Sequence, residues 1–581
     1  MLSPARRSSR RSTPRRSCTL DIGPKWTGSA TFSSLRTALR DRADRIRRAI
    51  RRAAAGGAGC RPPGSGPHGS DRTPAPQPVA RAAHPRPPGL RLHRALGLAA
   101  GRRAMTEGMQ LSWWLIGAYL ALMLGVGVWF RRRVRSVEDM AVAGRHSGVW
   151  LIAFSVAATW INGTTLIGIS ALGADFGLDA YWSGGSFMLG TIWIAYFIIP
   201  RLWETGVITI PELFGRCFGP RHRIVSLVLV ILRDMGVTAG TIGALTLVTT
   251  AVLGISVAES LLLWLGVTSV YVFLGGMWAV MATDAIQFFI ILAGSIAVLV
   301  AGLAAAGGLG ELSAGLDPAL IDIFGRAGVT QVLAWIVIGL AITGAYQGLI
   351  QRGFAARSAD IARRGFLYGG VIASIWYMTP PLIGIVARTM YGPGLAAEDA
   401  FVTLAFGAAG NELASLVVVC VLAASMSTLS STINTIASNF TLDLYARFIA
   451  PTASAVRQLW VYRLNVLLVG ALAAVLYLAL PLLIELFWIG GRIMGASVAP
   501  ALIGIVLFPS LRRAPRTVMA AMLIGAAVQA IWQTFGAIRE VGSVVIIWEL
   551  DPILAGLPLT ILILWVGVRL ETRPGGQDAT A

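Results

Sequence analysis

The chain has 581 residues, 55% hydrophobic and 13% charged, with 49 basic against 28 acidic side chains for a formal net charge of +21. A mean hydropathy of +0.69 excludes an ordinary soluble globular enzyme. No lysine follows Lys25, which excludes a G-x-x-x-x-G-K-[ST] phosphate loop and a lysine Schiff base anywhere in the apolar part. The cysteines, Cys18, Cys60, Cys217 and Cys420, are scattered without a C-x-x-C pair, so neither a disulfide framework nor a zinc site is indicated.

Residues 1–104 hold 22 arginines and one lysine against four aspartates, a net +19. Residues 105–581 hold 26 arginines against 24 acids, a net +2. The first segment is rich in Arg, Pro, Gly, Ser and Ala with no sustained apolar run, so a disordered extension is expected. Two readings of it stay open. It is an RNA- or lipid-binding arm, or it is upstream sequence read through to an early start codon, with Met105 or Met109 as the true start.

From residue 111 onward, thirteen apolar stretches are each long enough to cross a bilayer as a helix. They lie near 111–130, 148–173, 181–203, 224–254, 256–275, 281–306, 328–350, 366–390, 401–427, 459–480, 482–508, 516–538 and 545–569. The fold class expected is therefore an all-α integral membrane protein. Arginine placement sets its orientation. Clusters follow the first span (Arg131, Arg132, Arg133, Arg135, Arg145), the third (Arg201, Arg216, Arg221, Arg223) and the seventh (Arg352, Arg357, Arg363, Arg364). Others surround the ninth-to-tenth loop (Arg447, Arg457, Arg463) and follow the eleventh span (Arg512, Arg513, Arg516) and the last (Arg569, Arg573). Alternate loops carry only Arg326, Arg388 and Arg539, with acids such as Asp175, Asp179, Asp317, Asp322, Glu398 and Asp399. This parity predicts an outside N-terminus and a cytoplasmic C-terminus in a bacterial-type plasma (inner) membrane. An outside N-terminus conflicts with a +19 tail, which favours the read-through reading. Arg233 and Asp234 fall inside the fourth span, as a functional site or as a paired couple near its cytoplasmic end.

Three polar clusters interrupt apolar helices. AATWINGTTLIG, Ala157–Gly168, carries Trp160, Asn162, Gly163, Thr164 and Thr165 in the second span. GLAITGAYQGLIQR, Gly339–Arg352, carries Gly339, Ile342 and Thr343 in the seventh. Glycines at mid-membrane free backbone carbonyls, and such backbone survives where it lines a cavity; helix packing is the alternative for either cluster alone. The clusters lie five spans apart, so the two halves have opposite topology, a pattern that points to a transporter solute site. The third cluster, Leu422–Phe440, crowds Ser425, Ser427, Thr428, Ser430, Ser431 and Thr432 into two turns. Neutral hydroxyl and carbonyl oxygens suit a dehydrated small cation that must be released on each cycle.

In order along the chain, these motifs resemble those of the sodium:solute symporter family, the group of sodium–glucose, sodium–proline, pantothenate and choline transporters. The resemblance also rests on Pro200–Phe214, on LGGMWAVMATDAIQ (Leu274–Gln287), on LIQRGFAARSADIAR (Leu349–Arg363), on the segment ending at Tyr445, and on the GxxxGASVAPALIG region before Gly504. It covers about residues 111–510. It implies a leucine-transporter-type core of two inverted five-helix repeats, residues 148–306 and 328–508. A leading helix and basic loop (105–147) precede them, and two trailing helices with a short tail (509–581) follow.

Carried over position by position, the resemblance implies a sodium site of the Ala158, Ile161 and Ala424 carbonyls with the Ser427 and Thr428 hydroxyls. It further implies a possible second sodium among Ser427, Ser430, Ser431 and Asp284; a cytoplasmic gate partner is the alternative for Asp284. The solute site is expected at Trp160, Asn162, Gly163, Thr164, Thr165, Phe187, Gly339, Ile342 and Thr343. Sugar-transporting relatives place Gln and Glu where this chain has Thr165 and Gly184, and proline carriers place Asp where it has Trp160. Both departures argue against those solutes. The run Ile161–Thr164 is locally like the choline branch, and Trp160, Tyr181 and Trp182 offer aromatic faces to a cationic amine, with ordinary packing as the alternative. The function expected is sodium-coupled import of an amine, amino acid or carboxylate, with Na+ and the solute as partners in a lipid bilayer. No enzyme activity and no nucleic-acid partner are expected. The alternatives are proton coupling on the same fold, or a transporter-like sensor, for which the 12 residues after 569 leave no output domain.

Overall fold

Apolar runs in lipid must satisfy every backbone group internally, so they form helices wherever the chain crosses. The computed structural model describes residues 113–408, 411–479, 483–535, 540–541, 544–545 and 552–572, all within the unit Pro88–Ala581. The readings of residues 1–104, Met105, Met109, Arg539 and Arg573 lie outside the described residues, as does the Thr164 side chain.

The first half runs as α1 (Trp113–Arg133), α2 (Val149–Trp160), α3 (Gly163–Phe176), α4 (Tyr181–Phe197), α5 (Pro220–Leu253) and α6 (Val257–Ala305). The second runs as α7 (Gly328–Thr343), α8 (Gln347–Phe354), α9 (Ala359–Trp376), α10 (Thr379–Tyr391), α11 (Ala400–Ala408) and α12 (Asn411–Ser438). A π-helical turn, Asn439–Ile449, extends α12. Then come α13 (Ala455–Ala479), α14 (Leu483–Ala496), α15 (Val498–Leu507), α16 (Pro515–Phe535) and α17 (Ile553–Glu571).

Among the described residues, nine helices are long and apolar enough to cross a membrane, or up to eleven segments if each of two bent helix pairs is one span. Two of the eleven each cover two expected spans, which accounts for thirteen. The first is α6, whose 49 residues make about 73 Å of helix, more than twice a ~30 Å hydrocarbon core. It breaks at Gly276, at φ 51° and ψ −141°. The second joins α3 to α4 across Gly177, at φ 77°. At Gly276 a side chain would also place its Cβ 2.6 Å from the Met140 Cα. Gly276→Ala is therefore expected to lower the thermal midpoint by at least about 2 °C relative to Gly266→Ala, whose Cβ meets nothing within 4 Å. Equal midpoints would show that the break stores no conformational demand.

The last span differs from expectation. It begins at Ile553, not 545, and a two-residue antiparallel ladder pairs Glu540 with Val545 and Val541 with Val544. The β-branched valines flank a Gly–Ser pair in the sequence, a hairpin signal within an otherwise apolar window.

The two bends fall at matching places. α2 and the helix that continues α3 meet at 56°, and α7 and α8 at 50°. Around them α2 packs on α9, α3 on α10, α4 on α7, and α12 against both α5 and α6. The arginine-poor loops are clipped shut: Asp179 accepts the Gly325 and Ala327 N–H groups at 3.0 and 2.5 Å, and Arg388 meets Asp175 at 2.6 Å. The Ala319 N–H and Arg326 hold the exposed Asp317 carboxyl below its ordinary range. On the arginine-rich side, Arg223 pairs with the buried Asp443 at 2.7 Å.

Three charged residues bear on the sequence readings of charge placement. Arg352 is not in a loop; it sits on α8 with no exposed surface. Arg233 and Asp234 are not at a helix end. They lie about 20 Å along α5 from Pro220, deep in the span.

Candidate sodium and solute site

The chain leaves its helix at Trp160 because the Ile161 backbone turns to φ −91° and ψ 96°. The Ile161 N–H still reaches the Ala157 carbonyl at 3.3 Å, but the next carbonyls lose their partners in the helix. Asn162 then caps α3. Its side chain accepts the Thr165 N–H at 2.9 Å, and the Thr165 hydroxyl accepts the Asn162 N–H at 2.9 Å. Both side chains, expected at the solute, are thus engaged in holding the break. Gly163 is the first residue of α3 and faces Ser425 of α12.

α12 supplies the hydroxyls. The Ser427 Oγ donates to the Ala424 carbonyl at 2.9 Å and lies 3.4 Å from the Ala158 carbonyl, which ties the end of α2 to α12. Ala158, Ile161, Ala424, Ser427 and Thr428 are all buried. The Thr428 Oγ1 is buried with no hydrogen-bond partner among the described residues. An orphaned hydroxyl in a dry site is costly, at about 1–3 kcal/mol, unless a ligand satisfies it. A small cation between the carbonyl-rich break and this hydroxyl would do so, and no acid is needed.

The place the resemblance gives to a second sodium is differently furnished. The Arg352 guanidinium pairs with Asp284 Oδ2 at 2.6 Å, and donates to Ser431 Oγ at 2.6 Å and Ser155 Oγ at 2.7 Å. Ser155 donates to the same Asp284 oxygen at 2.6 Å, while Asp284 Oδ1 has no partner among the described residues. Ser430 and Ser431 both donate to the Ser427 carbonyl, at 3.0 and 2.7 Å.

Above this lies an aromatic wall. Trp160 packs on Phe187 at 4.8 Å between ring centroids and edge-on to Tyr346 at 5.6 Å. The Trp160 indole N–H donates to Thr191 at 2.9 Å, and Tyr377 donates to the Trp160 carbonyl at 2.6 Å. Thr343 donates to the Gly339 carbonyl at 2.6 Å and lies 3.4 Å from the Phe187 carbonyl, and Ile342 is buried beside them. Tyr181 and Trp182 do not join this wall: Tyr181 bonds to Ser374, and Trp182 stacks on Phe324. Tyr346, Tyr377, Thr191, Ser155 and Arg352 were missed by the motif reading. Tyr346 had a local signal, since it lies within the Gly-interrupted run Gly339–Arg352.

The family model for the sodium:solute symporters matches residues 141–525, well over half of the chain. The chain belongs to that family, and its fold is of the leucine-transporter type. It is 26% identical over 458 residues to the osmoregulated proline transporter OpuE of Bacillus subtilis, covering 75% of this chain and 91% of that protein. It is 27% identical over 414 residues to the rat sodium/glucose cotransporter 2, with 62% of this chain aligned and about 61% of that relative's length spanned. A solved Na+-coupled sialic acid symporter, in a substrate-bound outward-open state, superposes with a TM-score of 0.68 at 19% identity, over 79% of this chain and 98% of its own.

Proposed function

We propose that the protein is a sodium-coupled secondary symporter that imports a small organic solute across a bacterial-type inner membrane, with its arginine-rich loops in the cytoplasm. The observation that carries the ion assignment is the unpartnered Thr428 hydroxyl beside the Ser427–Ala158 contact. Sodium held by the Ala158, Ile161 and Ala424 carbonyls and the two hydroxyls fixes the break between α2 and α3. That break carries Trp160, which packs on Phe187, and the Gly163–Thr165 turn, so the ion preorganises one wall of the solute site; Gly339, Ile342 and Thr343 form the facing wall. The coupling is reciprocal: sodium raises solute affinity by the factor that solute raises sodium affinity.

The arginine-rich side is closed by polar layers. Gln347 bonds to Asn439 at 2.5 Å, Gln351 to Ser438 at 2.8 Å, and Arg223 to Asp443. Release requires these layers to part. With the Arg352 guanidinium between Asp284 and Ser431, one sodium binds in this arrangement. A second at Asp284, Ser430 and Ser431 requires Arg352 to withdraw. An inward sodium gradient and membrane potential, at about 2.3 kcal/mol per charge per 100 mV, then drive the cycle. In proteoliposomes, uptake is expected under a sodium gradient and not under a pH gradient alone. Sodium-free uptake driven by protons would replace this reading with proton symport.

A further inference from the structure

Arg233 and Asp234 are consecutive on α5, and both are buried far from either helix end. Arg233 Nη1 donates to Asp234 Oδ1 at 2.6 Å. Asp234 Oδ2 is buried with no partner among the described residues. The Arg233 guanidinium carbon lies over Tyr346, 3.8 Å from the ring centroid. Tyr346 sits in the bend between α7 and α8 and packs on Trp160, which packs on Phe187. The ion pair therefore terminates the aromatic wall that crosses both helix breaks.

The helix across from it is shaped for this approach. At Gly490 of α14 a Cβ would come within 2.9 Å of the Arg233 Cα, and at Gly491 within 3.1 Å of Ile342. One Gly–Gly face thus brings α14 against both the charge pair and the solute wall.

A pair that served packing alone would be fully satisfied. Neighbouring residues on a helix point about 100° apart, so a contact between them leaves their outer edges unused. Here, among the described residues, Asp234 Oδ2 has no partner, and the guanidinium beside it rests against Tyr346, which belongs to the aromatic wall. In a span, such charges are costly to bury and are retained where a ligand uses them. A guanidinium edge takes a carboxylate in a two-pronged bond. The neighbouring Oδ2 takes a donor from the same ligand.

We propose that Arg233 and Asp234 form the polar end of the solute site, and that the solute carries a carboxylate beside a hydrogen-bond donor, as an α-amino or α-hydroxy acid does. This inference rests on the symporter reading. Amines without an acid group and neutral sugars are excluded by it.

The test is thermal stabilisation of the purified full-length protein. The ion arm compares sodium chloride with N-methyl-D-glucamine chloride, without solute. The solute arm adds L-alanine, L-proline, L-lactate and glycolate, each beside its amide, together with D-glucose and choline. At least one acid is expected to stabilise the protein in sodium while its amide does not. In the charge-neutral variant Arg233→Gln/Asp234→Asn, the affinity for that acid is expected to fall about 10- to 100-fold while the sodium-only shift persists, which shows the variant is folded. Arg233→Lys, with charge but no fork, is expected to fall between the two. Equal action of an acid and its amide, stabilisation by glucose or choline instead, or no shift with any acid overturns the inference and leaves symport standing. Absence of the sodium-only shift overturns the symporter reading itself.

Discussion

Asp284→Asn is expected to destabilise the protein by about 3–5 kcal/mol, because it strands the Arg352 guanidinium in the core without a counter-charge. Both side chains have no exposed surface, and Arg352 draws its remaining bonds from Ser155, Ser431 and the Gly348 carbonyl. Water cannot replace the lost carboxylate there. Arg352→Met should do similar damage by leaving the carboxylate alone. The double variant Asp284→Asn/Arg352→Met removes both charges together and should recover more than half of the loss, since desolvation of the pair offsets much of its attraction. Size-exclusion profiles and thermal midpoints in detergent read this out. If either single variant matched the wild type, the pair would not be a buried charge couple at all.

Thr428→Ala is expected to raise the sodium concentration needed for half-maximal uptake about 10- to 100-fold, the range for losing one ligand to a charged partner. Thr428→Ser keeps the oxygen and should stay near the wild type. Folding should be spared in both, because the Thr428 hydroxyl makes no bond in the described structure. Ser427→Ala removes a ligand and also the contact to the Ala158 carbonyl, so it should lose both sodium affinity and some stability. Unchanged sodium dependence in Thr428→Ala would move the ion elsewhere.

The two bends and the hydroxyl-rich helix were legible in the sequence because each is a local contradiction. Glycine, asparagine and clustered serines in an apolar window are signals that neighbouring residues alone can carry. The capping roles of Asn162 and Thr165 were also written locally, three residues apart, but the motif reading assigned them to solute. An N-cap is what an interrupted helix in lipid needs first, because its exposed N–H groups have no water to bond.

Arg352 was not legible. It follows the seventh apolar run and stands five residues before Arg357, so charge placement alone puts it outside the membrane. The bend at Gly344–Tyr346 turns α8 back along the core and carries Arg352 to Asp284, 68 residues earlier, and to Ser155, 197 residues earlier.

The sequence by itself determined the helical class, the paired breaks and the oxygen-rich helix that faces them. Each follows from hydropathy over a span or from polar residues set against it, and both are short-range properties. Only the tertiary structure decided which charges meet. It placed Arg352 at Asp284, Arg233 on Tyr346, and Thr428 without a partner. Ion pairing in a dry core depends on contacts between residues tens to hundreds of positions apart, which no window along the chain contains.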